Sequence, residues 1–174
     1  YIGQVWYNTT SRFLKFNSGT LVQSWSTKNN LPNARKDTGA AGLTYNAGLA
    51  FGGNLQPPGT KTAVVESWNG TNWTSQTAMP SNRWRNGGTG SSTAALSSGG
   101  DSPTGAGVDT VDSYNGSWTN QTALPSNKRS MGSTGTSTNA LVFGGGPDGP
   151  PQENATYSYN GSWTAQPNMV GDQR

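Results

Sequence analysis

The stretch Leu141-Val142-Phe143-Gly144-Gly145, followed after a loop by Tyr157-Ser158-Tyr159-Asn160-Gly161-Ser162-Trp163, decides the fold because it recurs upstream. The same pattern occurs at 49–53 with 66–73, and at 96–100 with 112–118. The tryptophans that end these copies, together with one before them, are spaced by 48, 45 and 45 residues: Trp25, Trp73, Trp118 and Trp163. A period in this range, built from strand-length segments, is typical of propeller blades.

Four strand-length pieces make up each unit. In the second unit they lie at 87–93, 94–98, 108–114 and 118–122. The dipeptide Asn-Gly separates the last two pieces in every unit, which predicts a type I′ hairpin turn. No stretch has the apolar spacing of an amphipathic helix, so we expect an all-β protein.

The middle two pieces of each unit are joined by a longer, proline-rich connection, at 54–61, 101–107 and 146–154. Proline ends a strand and stiffens an exposed loop. Leu-Pro or Met-Pro then marks each crossing to the next unit, at 77–85 and 121–129. Because antiparallel strands alternate in direction, the long loops and the crossings should share one face, opposite the Asn-Gly turns.

The repeat divides the chain into four parts. They are an N-terminal hairpin and half blade at 1–30, blade 1 at 31–76, blade 2 at 77–121, and blade 3 with the start of the next crossing at 122–174. Residues 4–7 and 12–16 flank a polar turn and predict the hairpin. A chain that begins at Tyr1 is expected to be a processed protein or a segment of a longer one.

Ring closure is the open question of this architecture. Propellers usually have four to eight blades, and three and a half do not easily make a ring. Further blades of a longer chain, association of copies, or an open arc covered by partners would each protect the exposed sheet edges.

Composition excludes several classes of chemistry. The chain has no Cys and no His, which removes thiol nucleophiles, histidine triads, and zinc, haem and iron–sulfur sites that need these ligands. Its net charge of +3 comes from scattered residues rather than a basic run, so we expect no nucleic-acid partner. The apolar stretches are too short for membrane insertion. We also expect no cofactor and no enzymatic activity.

The order Phe-Gly-Gly, Ser-Tyr-Asn-Gly, Trp-Thr and then Leu-Pro with a basic residue resembles the kelch repeat, the four-stranded blade also found in the central domain of galactose-oxidase-like proteins. The resemblance covers residues 16–174 and implies a kelch-like β-propeller segment of about three and a half blades. Ser98 departs from it by replacing Phe before a diglycine, and the period is nearer 45 than the roughly 50 residues of kelch. Copper-radical chemistry does not carry over, because its His and Cys residues are absent.

The Asn-Gly-Ser/Thr turns and the Gly/Thr/Ser-rich inner strands resemble kelch-type repeats of marine bacterial viruses. Residues 3–11 similarly resemble the hairpin that precedes appended modules in phage fibre proteins. The resemblance implies a virion structural or attachment module (a fibre, spike or decoration protein), located in the virion, whose partners are other virion proteins, copies of itself and host-surface glycans. The alternatives are a bacterial surface or secreted carbohydrate-binding adhesin, and a purely structural layer protein.

Aromatic residues that recur in every blade are expected to pack blade against blade. They form two sets: Trp68, Tyr114 and Tyr159, and Trp73, Trp118 and Trp163. The recurring Arg35, Arg83 and Arg129 have two interpretations, either tying successive units together or forming a ring of donors around a central opening.

Trp84 breaks the repeat, since the other units have no large aromatic at that place. It either stacks on a sugar ring, with its neighbouring arginines binding hydroxyls or carboxylates, or fills a local gap. Binding is expected at residues 54–61, 77–85, 101–107, 121–129 and 146–154. The candidate ligand-binding residues there are Trp84, Arg83, Arg85, Lys128, Arg129, Asp101 and Asp148.

Overall fold

The computed structural model describes residues 5–8, 13–16, 27–57, 59–146 and 153–170. These residues form sixteen β-strands and no helix, which confirms the all-β prediction. The predicted N-terminal hairpin is present as the antiparallel strands β1 (Val5–Asn8) and β2 (Phe13–Phe16). Residues 17–26 of the predicted half blade, which include Trp25, lie outside the described residues. Asp148 of the third long loop also lies outside them.

Three four-stranded antiparallel sheets follow the hairpin, each within one predicted unit. Blade 1 contains β4 (Gly39–Thr44), β5 (Ala47–Phe51), β7 (Val65–Trp68) and β8 (Trp73–Gln76), and a small ladder, β3 (Arg35–Lys36) with β6 (Asn54–Leu55), lies beside it. Blade 2 contains β9 (Gly87–Gly90), β10 (Ala95–Ser98), β11 (Val111–Tyr114) and β12 (Trp118–Gln121). Blade 3 contains β13 (Gly132–Gly135), β14 (Ala140–Phe143), β15 (Thr156–Tyr159) and β16 (Trp163–Gln166). Strands pair in sequence order within each blade, as in a partial propeller.

Blades meet along their first strands, where small residues allow the backbones to approach. A Cβ atom on Gly88 of β9 would overlap the carbonyl oxygen of Ala40 in β4. On the other side, Ser133 Oγ of β13 lies 3.0 Å from both Gly88 N and Gly88 O. The Gly/Ser/Thr-rich first strands therefore form the inner edge of the arc.

The hydrophobic core lies between blades. One cluster joins blades 1 and 2 and contains Leu49, Phe51 and Tyr114, with Phe51 packed edge-on against Trp118 at 5.5 Å. A second joins blades 2 and 3 and contains Leu96, Val142 and Tyr159. Burial of these side chains is the main force that holds one blade to the next.

The diglycine of each blade approaches the crossing that leads into the next blade. Gly52 and Gly99 have φ values of +65° and +57°, which favour glycine. A Cβ atom at these positions would overlap the carbonyl oxygens of Arg83 and Lys128, respectively. The motif is thus required both by backbone conformation and by close packing.

The Asn-Gly turns lie where they were predicted, between the third and fourth strands, but the type I′ assignment is wrong. Type I′ requires positive φ at both central residues. Gly70, Gly116 and Gly161 have positive φ, whereas the asparagines before them do not. The loop is also longer than two residues, since Tyr114 pairs with Trp118 in blade 2 and Trp68 with Trp73 in blade 1.

Candidate functional site

The repeated aromatics are used within the scaffold. Trp118 Nε1 donates at 3.0 Å to the carbonyl oxygen of Thr77, which directly follows the last strand of blade 1. Trp163 Nε1 donates at 2.9 Å to that of Thr122, which directly follows the last strand of blade 2. Tyr114 OH contacts Gln76 Oε1 at 3.2 Å, and Tyr159 repeats this contact with Gln121. These rings therefore pack and hydrogen-bond blade against blade, as expected.

A buried basic residue occupies one position in every blade, but its third member is not Arg129. The equivalent residues are Arg35, Arg83 and Lys128, and the prediction that grouped Arg129 with them is wrong. Arg35 Nη2 pairs with Glu66 at 2.6 Å, and Arg83 pairs with Asp112. We call these three residues the basic slot. Of the two interpretations, its contacts match the one that ties units together.

Arg83 and Lys128 of the basic slot each connect two blades. The carbonyl oxygen of Arg83 accepts from Gly53 N of blade 1 at 2.8 Å, while its side chain donates to Thr110 O of blade 2 at 2.8 Å. Burial lowers the pKa of the Arg83 guanidinium, and the Asp112 charge opposes this shift. Arg83 and Lys128 are less than 2% exposed, so their side chains offer little surface to a ligand.

Trp84 is half-buried, and its indole ring contacts two cations. Arg85 Cζ is 4.0 Å from the centroid of the indole ring, and Lys61 Nζ is 5.0 Å from it. Cation–π attraction and the apolar stems of the cations hold these groups against the ring. Trp84 Nε1 is buried and has no hydrogen-bond acceptor in the described structure.

Asp101 contacts Arg85 from the interior of the protein and is completely buried. Its Oδ1 accepts from Arg129 Nη1 at 3.0 Å, and its Oδ2 lies 3.4 Å from Arg85 Nη1. The backbones of Trp84 and Asp101 also form an antiparallel bridge, with Asp101 N donating to Trp84 O at 2.8 Å. We call Lys61, Trp84, Arg85, Asp101 and Arg129 the loop-face cluster.

The loop-face cluster brings together four of the five segments that were expected to bind. Lys61 belongs to 54–61, Trp84 and Arg85 to 77–85, Asp101 to 101–107 and Arg129 to 121–129. Of the seven candidate residues, four lie in the cluster, Arg83 and Lys128 lie in the basic slot, and Asp148 lies outside the described residues. Lys61 was not singled out, because no pattern in the sequence places it on Trp84.

Arg85 has an unusual backbone conformation, with φ at +56°. Asp37 and Ser130, which occupy the equivalent places in blades 1 and 3, have φ values of +56° and +52°. The conformation is therefore a property of every crossing, whereas the large cationic side chain occurs only in blade 2. Lys36 and Arg129 are correspondingly the equivalents of Trp84, since all three form the same bridge to the long loop of their blade.

Two grooves lie on the opposite face, between blades. A groove of about 550 Å³ between blades 1 and 2 and one of about 350 Å³ between blades 2 and 3 share the lining residues Tyr114 and Asn115. Their walls include Gln76 and Gln121, which already bond the neighbouring blade. The grooves thus follow from the repeat itself, unlike the loop-face cluster.

In the described part of the chain, no group of three or more acidic, His or Cys side chains is placed to hold a metal ion. The described residues also contain no helix long and apolar enough to cross a membrane. The chemistry that the loop-face cluster offers to a ligand is that of donors, namely an ammonium and guanidinium groups. Such a set recognises acceptor-rich groups.

No protein-family model matches this chain, and no curated protein matches it significantly.

Proposed function

We propose that this chain is a non-enzymatic binding scaffold of the kelch type, serving as a virion fibre, spike or decoration module that attaches to a host-cell surface through its loop face. The loop-face cluster is the observation that carries the proposal. It combines a non-repeated aromatic with cations from separate loops on a framework that is otherwise repetitive. Non-repeated loop residues on a rigid scaffold are where binding functions are commonly located.

The repeated side chains and the non-repeated side chains have different roles, and this difference supports the proposed function. The repeated Trp, Tyr and basic-slot residues are engaged within or between blades. They hold the crossings and long loops in fixed positions, so that Lys61, Trp84 and Arg85 are ordered before a ligand arrives. Preorganisation of this kind reduces the entropic cost of binding.

The test is adsorption of the purified chain to a panel of bacterial surface polysaccharides, comparing the unchanged protein with Trp84→Ala. Lys36→Ala is the matched control, because Lys36 is exposed and occupies the same place in blade 1. We expect Trp84→Ala to weaken adsorption at least about tenfold, since one aromatic contact and the order of two cations are lost. Equal adsorption by all three proteins would contradict attachment through this face.

A bacterial adhesin would use the same face, so location separates the two functions. Antibodies raised against the purified chain should label virus particles in electron micrographs of a culture that produces the protein. Labelling confined to the surface of bacterial cells would favour the adhesin instead.

A further inference from the structure

We infer that the loop-face cluster binds an anionic group of a polysaccharide, a carboxylate or a sulfate ester, between Lys61 and Arg85. The inference rests on the proposed function and specifies the ligand chemistry of that site. It replaces the interpretation that Trp84 stacks on a sugar ring, because two cations of the protein already contact the indole ring.

The charges of the cluster do not cancel. Asp101 is closer to Arg129, at 3.0 Å, than to Arg85, at 3.4 Å. Lys61 forms no ion pair in the described part of the chain, and the side chain of Arg85 keeps 36% of its surface exposed. An ammonium and a guanidinium are therefore both held against the Trp84 ring, and the one carboxylate of the cluster is buried, which leaves an excess of positive charge facing solvent.

Like charges repel, so two cations would not gather here unless other groups held them. The Trp84 ring attracts both cations, and the buried Asp101 carboxylate orients the Arg85 guanidinium. An oxyanion placed between Lys61 and Arg85 would remove the repulsion and accept charge-assisted hydrogen bonds from both.

The direct binding residues are accordingly Lys61 and Arg85, and Trp84 is a positioning residue.

Blades 1 and 3 provide the internal comparison. Lys36 replaces Trp84 in blade 1, and Ser130 replaces Arg85 in blade 3. The crossings of these blades therefore lack the combination of an aromatic followed by a cation.

The experiment measures binding of the whole chain to two pairs of probes that differ only in charge. The first pair is tetragalacturonate and its methyl ester, and the second is dextran sulfate and unmodified dextran. We expect binding to at least one charged probe and at least tenfold weaker binding to its neutral partner. The carboxylate pair and the sulfate pair distinguish the two sources of negative charge.

Variants then locate the site. Arg85→Ser introduces the residue type that blade 3 carries at this φ, and Lys61→Gln removes the second cation at similar length. Each should weaken binding of the charged probe about tenfold, as expected for the loss of one charge-assisted bond. Lys36→Gln, which removes a cation from the same face but outside the cluster, should leave binding unchanged. Trp84→Phe should retain more binding than Trp84→Ala, because a smaller ring still positions the cations.

Three outcomes would overturn the inference. They are equal binding of charged and neutral probes, absence of binding to either charged probe, and equal losses in Lys36→Gln and Arg85→Ser. If any one of these occurs while Trp84→Ala still reduces adsorption to surface polysaccharides, attachment through the loop face stands and only its anionic ligand is wrong. If Trp84→Ala has no effect on adsorption either, the proposed function fails with it.

Discussion

The basic slot is filled differently in blades 2 and 3. In blade 2, Arg83 pairs with Asp112, and both side chains are only 2% exposed. In blade 3, Tyr157 replaces the acid of the third strand, and Glu153 from the long loop pairs with Lys128 instead. The side chain of Glu153 is 35% exposed, whereas that of Lys128 is buried. The basic side chain thus has an acidic partner in both blades, which is buried in blade 2 and partly exposed in blade 3.

The difference shows that the repeat conserves an interaction rather than a residue. The basic side chain of either blade donates to a carbonyl of its own diglycine, Arg83 to Gly99 and Lys128 to Gly144, both at 3.3 Å. Lys128 also lies 5.6 Å from the centroid of the Tyr157 ring. The Tyr157 ring therefore partly substitutes for the carboxylate that the third strand of blade 3 lacks. The carboxylate of Glu153, on the long loop, is accessible to water.

The largest expected effect comes from breaking the buried pair. Arg83→Met should reduce the free energy of unfolding by about 3–5 kcal/mol, because it leaves Asp112 buried without its cation. Lys128→Met should cost only about 1–2 kcal/mol, since Glu153 can be hydrated after the loss of its partner. Urea unfolding of the whole chain, followed by tryptophan fluorescence, measures both.

A double variant checks that the cost arises from the stranded charge. Arg83→Met combined with Asp112→Leu should recover most of the stability that Arg83→Met loses. Equal losses in the two single variants would show that exposure of the acid does not matter, and the contrast between the blades would have no energetic meaning.

A second prediction compares two glycines with positive φ. Gly99→Ala should destabilise the protein by about 3 kcal/mol, because the new Cβ atom adds an overlap with Lys128 O to the backbone strain. Gly116→Ala should cost about 1 kcal/mol, since φ is +106° there but no atom lies within 4 Å. Urea unfolding again gives both values. Similar losses would mean that backbone strain alone, and not packing between blades, requires the diglycine.

The sequence period predicted the scaffold because the contacts between blades recur with the same period. The diglycines, the Asn-Gly positions and both aromatic sets follow the period. The structure places the Asn-Gly turns between the third and fourth strands, and it places Tyr114, Trp118, Tyr159 and Trp163 in contacts between blades, as expected. The third member of the basic slot was also within reach, since Arg83 plus the 45-residue period gives Lys128. The adjacent Arg129 was chosen by residue type instead of by spacing.

Features that depend on contacts between distant segments were not predictable in the same way. Lys61 reaches Trp84 across a blade boundary, and Glu153 replaces an acid from another strand. Neither contact leaves a periodic signal. The type I′ turn failed for a local reason, because Asn-Gly permits positive φ at both residues but does not enforce it at the asparagine.

The smallest expected effect concerns the hydroxyl groups that link neighbouring blades. Tyr114→Phe and Tyr159→Phe each remove one contact of 3.2 Å to a glutamine of the preceding blade. Each should cost about 1 kcal/mol, the usual net contribution of one hydrogen bond. Tyr157→Phe is the matched control, because the Tyr157 hydroxyl has no hydrogen bond in the described structure and its ring contact with Lys128 would persist. Since the two junctions share this geometry, the first two losses should agree within error in urea unfolding. A loss at only one junction would mean that equivalent contacts do not contribute equally to stability.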